Sequence, residues 1–224
     1  MDNMISLSRY EGLQSTYRTL SDFLHQNDKP ALRNTSGHGD ITHQAICEFV
    51  RGFRISVPNR GCLKKPIVAV ILPNGPLLAA TVIATSTWYA AAPISPAAGH
   101  EQVAADIRLS GASAIITCSA ESERLNLVHL GLDLFHATQD PEGRIRVDRG
   151  HAVNVLAGTH PDFTQCPNHD DDVGIILFTS GTSGTKKIVP MTTRSIVCGV
   201  GYVIASWALT DKDVCLNMMP LYHV

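Results

Sequence analysis

The sequence lacks the features that identify several classes of protein at sight. Its six cysteines, Cys47, Cys62, Cys118, Cys166, Cys198 and Cys215, stand far apart with no C-x-x-C pair, so neither a zinc site nor a disulfide framework is indicated. Idle or buried thiols in a reducing compartment suit that spacing. Met1 to Tyr10 has no basic region followed by an apolar core, so no secretory signal is read there and a cytoplasmic protein is expected. Charge is sparse as well. Charged residues make up 17% of the chain and the formal net charge is −2, with the basic residues scattered, which gives no footing for nucleic acid or an anionic membrane.

The longest gap in charge runs from Pro66 to His100, which contains no Asp, Glu, Lys or Arg. It does not predict a membrane span. Pro73, Pro76, Pro93 and Pro96 interrupt it, and its helical part, Leu77 to Ala92, is rich in Thr and Ser and shorter than the ~20 residues a span requires. The reading is a buried strand over Ile67–Leu72, a turn at Pro73-Asn74-Gly75, and a buried helix. Apolar strands without alternation belong to a parallel sheet covered on both faces.

What is present is an ordinary globular composition, 44% hydrophobic over 224 residues. A chain of that length can bury roughly 70% of the surface its unfolded form exposes. Leu20, Phe23 and Leu24 share one helical face in the stretch Leu20 to Arg33, with a turn at Asn27-Asp28-Lys29-Pro30. Thr42 is placed to cap a helix whose Ile46, Phe49, Val50 and Phe53 fall at i, i+3, i+4 and i+7. His43 and Cys47 lie on one side of that helix and are read as packing, not as ligands. A helix over Gly99–Ser110 leads through Gly111 to the strand Ala114–Thr117. This strand–helix–strand rhythm predicts right-handed crossovers and an α/β fold. Asp133 to Asp172 is more polar, with alternation at Ile145 and Val147, and its acidic run Asp170-Asp171-Asp172 is read as a solvated cap, not a metal site.

The richest stretch is Ile175 to Pro190, I-I-L-F-T-S-G-T-S-G-T-K-K-I-V-P. Four apolar residues feed a run of hydroxyls and glycines that closes on two lysines. Gly181 and Gly184 allow a sharp turn that brings backbone N–H groups close to an anion. Thr179, Ser180, Thr182, Ser183 and Thr185 add hydroxyl donors, and Lys186 and Lys187 supply mobile charge suited to polyphosphate. Only Thr182 and Ser183 separate the two glycines, which excludes the Walker pattern, and Gly184 directly follows Ser183, which excludes the G-x-S-x-G nucleophile elbow. A plain surface loop is the remaining alternative, and the apolar strand before the run and the lysines after it argue against that. After it, Thr192 or Thr193 can cap a helix to about Ala208 with Ile196, Val200, Val203 and Trp207 on its apolar face. Val214 to Met219 then reads as a strand delivering Tyr222 and His223 to its carboxyl end, where such sheets carry sites.

T-S-G-T-S-G-T-K-K resembles the signature loop of the adenylate-forming (AMP-binding) superfamily, which includes acyl-CoA synthetases and nonribosomal peptide synthetase adenylation domains. The family pattern is T-S-G-T-[TS]-G-x-P-K-G; Lys187 falls on the family lysine, Lys186 replaces proline and Ile188 replaces glycine. Met219-Pro220-Leu221-Tyr222-His223 resembles the family's M-P-L-[FY]-H segment. The resemblance implies the N-terminal part of the adenylate-forming large domain, 1–224, with an incomplete mixed or parallel sheet flanked by helices. It implies activation of a small carboxylic acid by ATP with Mg²⁺, and CoA or a carrier-protein phosphopantetheine as acceptor. By the same resemblance the Thr179 to Lys187 loop holds the β/γ-phosphates, Lys187 steadies departing pyrophosphate, and His223 orients the acyl group.

The family's adenine-binding segment, ribose-binding aspartate, hinge and C-terminal lysine all follow its M-P-L-[FY]-H segment. The resemblance therefore covers nearly all of this chain and less than half of a family enzyme. Two readings result: part of an acid ligase that needs further sequence or a complementing chain, or a truncated, inactive remnant acting as an interaction module through an open sheet edge.

Overall fold

The computed structural model describes residues 17–33, 39–59, 63–151, 166–180 and 186–223. In chain order the elements are β1 (Pro30–Leu32), β2 (Ile41–Thr42), α1 (His43–Gly52), β3 (Ile67–Ile71), α2 (Pro76–Trp88), β4 (Ala90–Pro93), α3 (His100–Ser110), β5 (Ala114–Thr117), α4 (Ser119–Arg124), β6 (Asp133–Gln139), β7 (Ile145–His151), β8 (Val173–Ser180), β9 (Lys186–Thr192) and α5 (Thr193–Ser206). Strands β3 to β9 form one seven-stranded sheet in the order β7-β6-β5-β3-β4-β8-β9, and β1 and β2 pair separately.

The sheet is built outward from β3. Its residues, Ile67 to Ile71, are all buried, because the strand pairs in parallel with β4 on one side and β5 on the other and has helices over both faces. Val68 and Val70 face α1 and α2, meeting Ile46, Val50, Leu78 and Ala84; Ala69 and Ile71 face Val103 and Ile107 of α3. Two cores, one on each face, explain a strand with no polar alternation. Parallel pairing extends to β6 and β8, and antiparallel hairpins close both edges, β6 with β7 and β8 with β9.

Local signals account for the helices. Thr42 caps α1 by accepting the Ala45 N–H at 3.1 Å, and Thr192 caps α5 by accepting the Ser195 N–H at 3.2 Å. Pro76 opens α2, where a missing N–H costs nothing, and α3 ends at Gly111 with φ 70°, a conformation that suits glycine. Where α2 gives way to β4, Trp88 donates its indole N–H to the Val50 carbonyl at 2.7 Å. Next to it, the Tyr89 hydroxyl accepts from Ile55 N–H at 3.0 Å and donates to Ile55 C=O at 2.7 Å, closing the segment after α1 onto the core. No helix among the described residues is long and apolar enough to cross a membrane.

Three sequence expectations are corrected. Leu20 to Leu24 makes a single 3₁₀ turn, Leu20–Phe23, and Pro30–Leu32 is a strand instead of a helix end; Asp22 accepts the Thr19 N–H at 2.7 Å, and Pro30 disfavours helix just before it. The helix expected over Leu77–Ala92 stops at Trp88, and Ala90–Pro93 is a strand. Helix and strand are both buried all round here, so the apolar run has no period to mark the change. Val214 to Met219 is not a strand: it has no regular backbone pairing, and all six residues are exposed.

Candidate functional site

β8 runs parallel to β4, which runs parallel to β3, so the loop that leaves Ser180 emerges at the same end of the sheet as the turn Pro73-Asn74-Gly75 after β3. That carboxyl end is where open α/β sheets bind ligands. Thr179 and Ser180 end β8, Lys186 and Lys187 begin β9, and the ladder pairs Ser180 with Lys186 and Thr179 with Lys187. Gly181, Thr182, Ser183, Gly184 and Thr185 lie outside the described residues.

The two lysines are separated by strand alternation. Ile176 and Phe178 point to the core under α3, so their partners Pro190 and Ile188, and two residues on Lys186, lie on that face. Thr179 and Lys187 lie on the other face, the side that carries α1 and α2. Lys186 donates from Nζ to Asp106 Oδ2 of α3 at 2.6 Å, and the Asp106 side chain is only 6% exposed. Lys187 is exposed. The pair expected to act together on polyphosphate is therefore divided: one ammonium is held by a buried carboxylate, the other is presented to solvent.

The Met219 to His223 segment reaches the same end without forming a strand. Asn74 Oδ1 accepts the Leu221 N–H at 3.0 Å, tying the segment to the turn beyond β3. Leu221 and Tyr222 pack on the core under α1 and α2, and the His223 N–H turns back to the Pro220 carbonyl at 3.0 Å, leaving the residue exposed. Lys187 and the Tyr222-His223 pair thus share one face and one end of the sheet.

The acidic run at the foot of β8 is structural. Asp172 accepts the His169 N–H at 3.0 Å and pairs with Lys64 at 3.2 Å; Arg194 pairs with Asp170 at 3.3 Å and Asp171 at 3.5 Å. Burial pushes the Asp172 carboxyl up, but the His169 bond and Lys64 outweigh it and hold it below the ordinary carboxylate range. Beside it Lys65 is buried, which pushes its ammonium down, and it donates to the Cys166 carbonyl at 2.6 Å. Together these bonds fix the start of β8 and the start of α5, and so the direction in which β8 delivers Thr179. An open groove of about 430 Å³ between α1 and β7, lined by Phe49, Phe53, Arg144 and Asp148, lies at the opposite edge of the sheet. Among the described residues no group of three or more His, Cys, Asp or Glu is placed to hold a metal ion.

Two contributors went unrecognised in the sequence. Asp106 had a signal: an acid set between Ala104 and Ile107 on the buried face of α3 requires a partner. Asn74 had none, since a turn asparagine is unremarkable until a distant N–H is found against it.

The sequence profile of the AMP-binding enzyme family matches residues 23–224. The oxalate–CoA ligase of Arabidopsis thaliana is 26% identical over 209 residues, covering 88% of this chain and 38% of that protein. The sulfoacetate–CoA ligase of Cupriavidus necator is 28% identical over 216 residues, covering 88% and 38%. Among solved structures, the acyl-CoA synthetase of Brucella canis superposes with a TM-score of 0.66 at 19% identity, over 98% of this chain and 42% of that one. A long-chain-fatty-acid–CoA ligase of Archaeoglobus fulgidus gives 0.61 at 20% identity, over 96% and 42%. The chain thus spans about two-fifths of the length of the relatives it matches, and over that span the mixed sheet flanked by helices is theirs. The chain belongs to the AMP-binding enzyme family.

Proposed function

We propose that residues 1–224 are the N-terminal portion of a domain that activates a carboxylic acid with ATP, and that this portion supplies the polyphosphate-gripping loop. The observation that carries the reading is the meeting, at one end of one sheet, of the strand ends that flank the hydroxyl–glycine loop and the Tyr222-His223 segment. A carboxylate oxygen attacks the α-phosphorus of ATP, a new P–O bond forms, and the bond to the bridging oxygen breaks with its electron pair leaving on pyrophosphate. Such a step needs positioning and charge stabilisation more than covalent help. The hydroxyl and backbone N–H groups of Thr179, Ser180, Gly181, Thr182, Ser183, Gly184 and Thr185 are assigned to the β/γ-phosphates, with Lys186 and Lys187 at the end of the run. Lys187, exposed on the Tyr222 face, meets the charge of the departing pyrophosphate, and His223 orients the acyl group. Mg²⁺, which the resemblance implies, would supply counter-charge to the polyphosphate held by this loop, a role that needs no cluster of protein carboxylates.

The relatives named above are CoA ligases for different acids. That supports a carboxylic acid substrate with CoA as acceptor, a carrier-protein phosphopantetheine being the alternative thiol. The wide spacing of the cysteines, with no C-x-x-C pair, suits a reducing compartment and supports a cytoplasmic location. The reading is tested by ATP–pyrophosphate exchange over a panel of acids in a complete enzyme that contains this portion: Lys187→Ala is expected to slow exchange by about 10²-fold, the scale of losing one transition-state charge partner. Unchanged exchange in that variant overturns it.

A second reading, an interaction module completed by another chain, is favoured by one observation. Trp207 is 70% exposed and Leu216 81% exposed, a large apolar surface for residues of this kind.

A further inference from the structure

Asp106 is an acid in the wrong place for a surface helix. It sits on the face of α3 that also buries Val103 and Ile107, and 6% of its side chain is exposed. Gln102 donates to its Oδ1 at 2.8 Å and Lys186 donates to its Oδ2 at 2.6 Å, so the carboxylate is satisfied only with both in place. The partners are unequal. The Lys186 side chain is 37% exposed and water can still reach it, whereas Asp106 without Lys186 is a buried charge with no counter-ion.

The position of Lys186 gives this pair a consequence. Its backbone faces Ser180 in the last rung of the β8–β9 ladder, so it stands where the hydroxyl–glycine loop rejoins the sheet. The family pattern has a proline at this position, a residue that restricts its own backbone. Here the restriction has to come from elsewhere, and α3, fastened to the sheet by Val103 and Ile107, is a rigid body to which a side chain can be tied.

We propose that Lys186 and Asp106 form a positioning pair that pins the exit of the phosphate loop to α3, so that Lys187 carries the cationic role alone. This rests on the loop being a polyphosphate loop, as proposed above. Lys186 acts through the loop backbone and not on phosphate.

The test uses Lys186→Met, Asp106→Asn, their double variant, Lys186→Arg and Lys187→Met in the full chain, with two readouts. The first is hydrogen exchange of the backbone amides of Thr179, Ser180, Lys186 and Lys187 in free protein; the second is MgATP affinity by NMR titration. A positioning pair predicts that Lys186→Met speeds ladder exchange by about 10-fold and Asp106→Asn by less, since only the first strands a buried charge. Both singles weaken MgATP by about 3- to 10-fold, the double variant is no worse than Lys186→Met, and Lys186→Arg restores both readouts. Lys187→Met weakens MgATP and leaves the exchange of the other three amides unchanged.

If Lys186→Met weakens MgATP while Asp106→Asn leaves it equal or tighter, Lys186 is a phosphate ligand that Asp106 merely sequesters, and the proposal is overturned. Unchanged exchange in both Lys186→Met and Asp106→Asn also overturns it. If Lys187→Met does not weaken MgATP, the polyphosphate reading fails, and the exchange readout decides the pair independently.

Discussion

Ile67–Ile71 and Val214 to Met219 are both short apolar segments, yet the first is buried at every residue and the second leaves Val214 81%, Leu216 81% and Met218 82% exposed. The difference lies in their neighbours. β3 has a strand on each side and helix on each face, so its backbone groups are paired and its side chains leave water in both directions. Val214 to Met219 follows α5 into a region where none of these partners stands beside it among the described residues. A β-strand is a property of a pair, and apolar residues become core only where opposing surfaces exist to receive them.

Removing side-chain volume at the two places gives the sharpest contrast. Ile116 of β5 is fully buried under the same helices as Val68 and Val70. Ile116→Ala is expected to cost about 2–4 kcal/mol, from lost transfer energy plus a cavity that packed neighbours cannot fill. The shift of the urea midpoint measures it. A loss below 1 kcal/mol would mean that this part of the sheet relaxes as freely as the exposed segment.

Tyr89 comes next in size. Its hydroxyl both donates to and accepts from Ile55, and its ring meets Phe53 edge-on at 6.0 Å. Tyr89→Phe keeps the ring and strands a buried N–H and C=O, a loss of about 1–3 kcal/mol. Thermal unfolding reads it, and amide exchange at Ile55 is expected to accelerate first. A loss confined to Ile55 exchange, with unfolding unmoved, would show that the segment after α1 opens separately from the sheet.

These positions also show what could be read in advance. Ala114–Thr117 and the Thr42 cap were legible, and the second cap was narrowed to Thr192 or Thr193, because each is a local event: an apolar run between a glycine and a polar segment, or a hydroxyl three residues before the N–H it accepts. The boundary between α2 and β4 was not, because burial on all sides removes the periodicity that tells helix from strand. At the site, the apolar strand that ends at Thr179 and Ser180 could be read from residue types alone. The separation of Lys186 from Lys187 could not, since it depends on Asp106, 80 residues away, meeting one face of β9.

Asp172 offers a smaller effect whose sign depends on pH. Its carboxyl is held below its ordinary value in the folded chain, so the stability it contributes is present above the unfolded-state value and is lost as the pH falls through the folded-state value. Asp172→Asn is expected to cost about 1 kcal/mol near neutral pH, from the weakened His169 and Lys64 contacts. The gap between variant and parent should close as the pH drops below the carboxylate range. Denaturation midpoints followed from pH 7 downward test this, and a gap that widens on acidification would mean the carboxylate is destabilising where it stands.

The smallest effect on stability belongs to the exposed segment. Leu216→Ser removes an apolar side chain that contacts water already, so unfolding free energy should change by less than about 0.5 kcal/mol, against the loss expected at Ile116. Surface hydrophobicity is where it should register. Together with Trp207, Leu216 and Met218 present apolar surface to solvent, so the Trp207→Ser, Leu216→Ser, Met218→Ser variant should bind less of an apolar-surface dye such as ANS at equal concentration while its urea midpoint stays in place. A fall in the midpoint comparable to that of Ile116→Ala would instead mean that this stretch is packed in solution, and that it has found the partners β3 has.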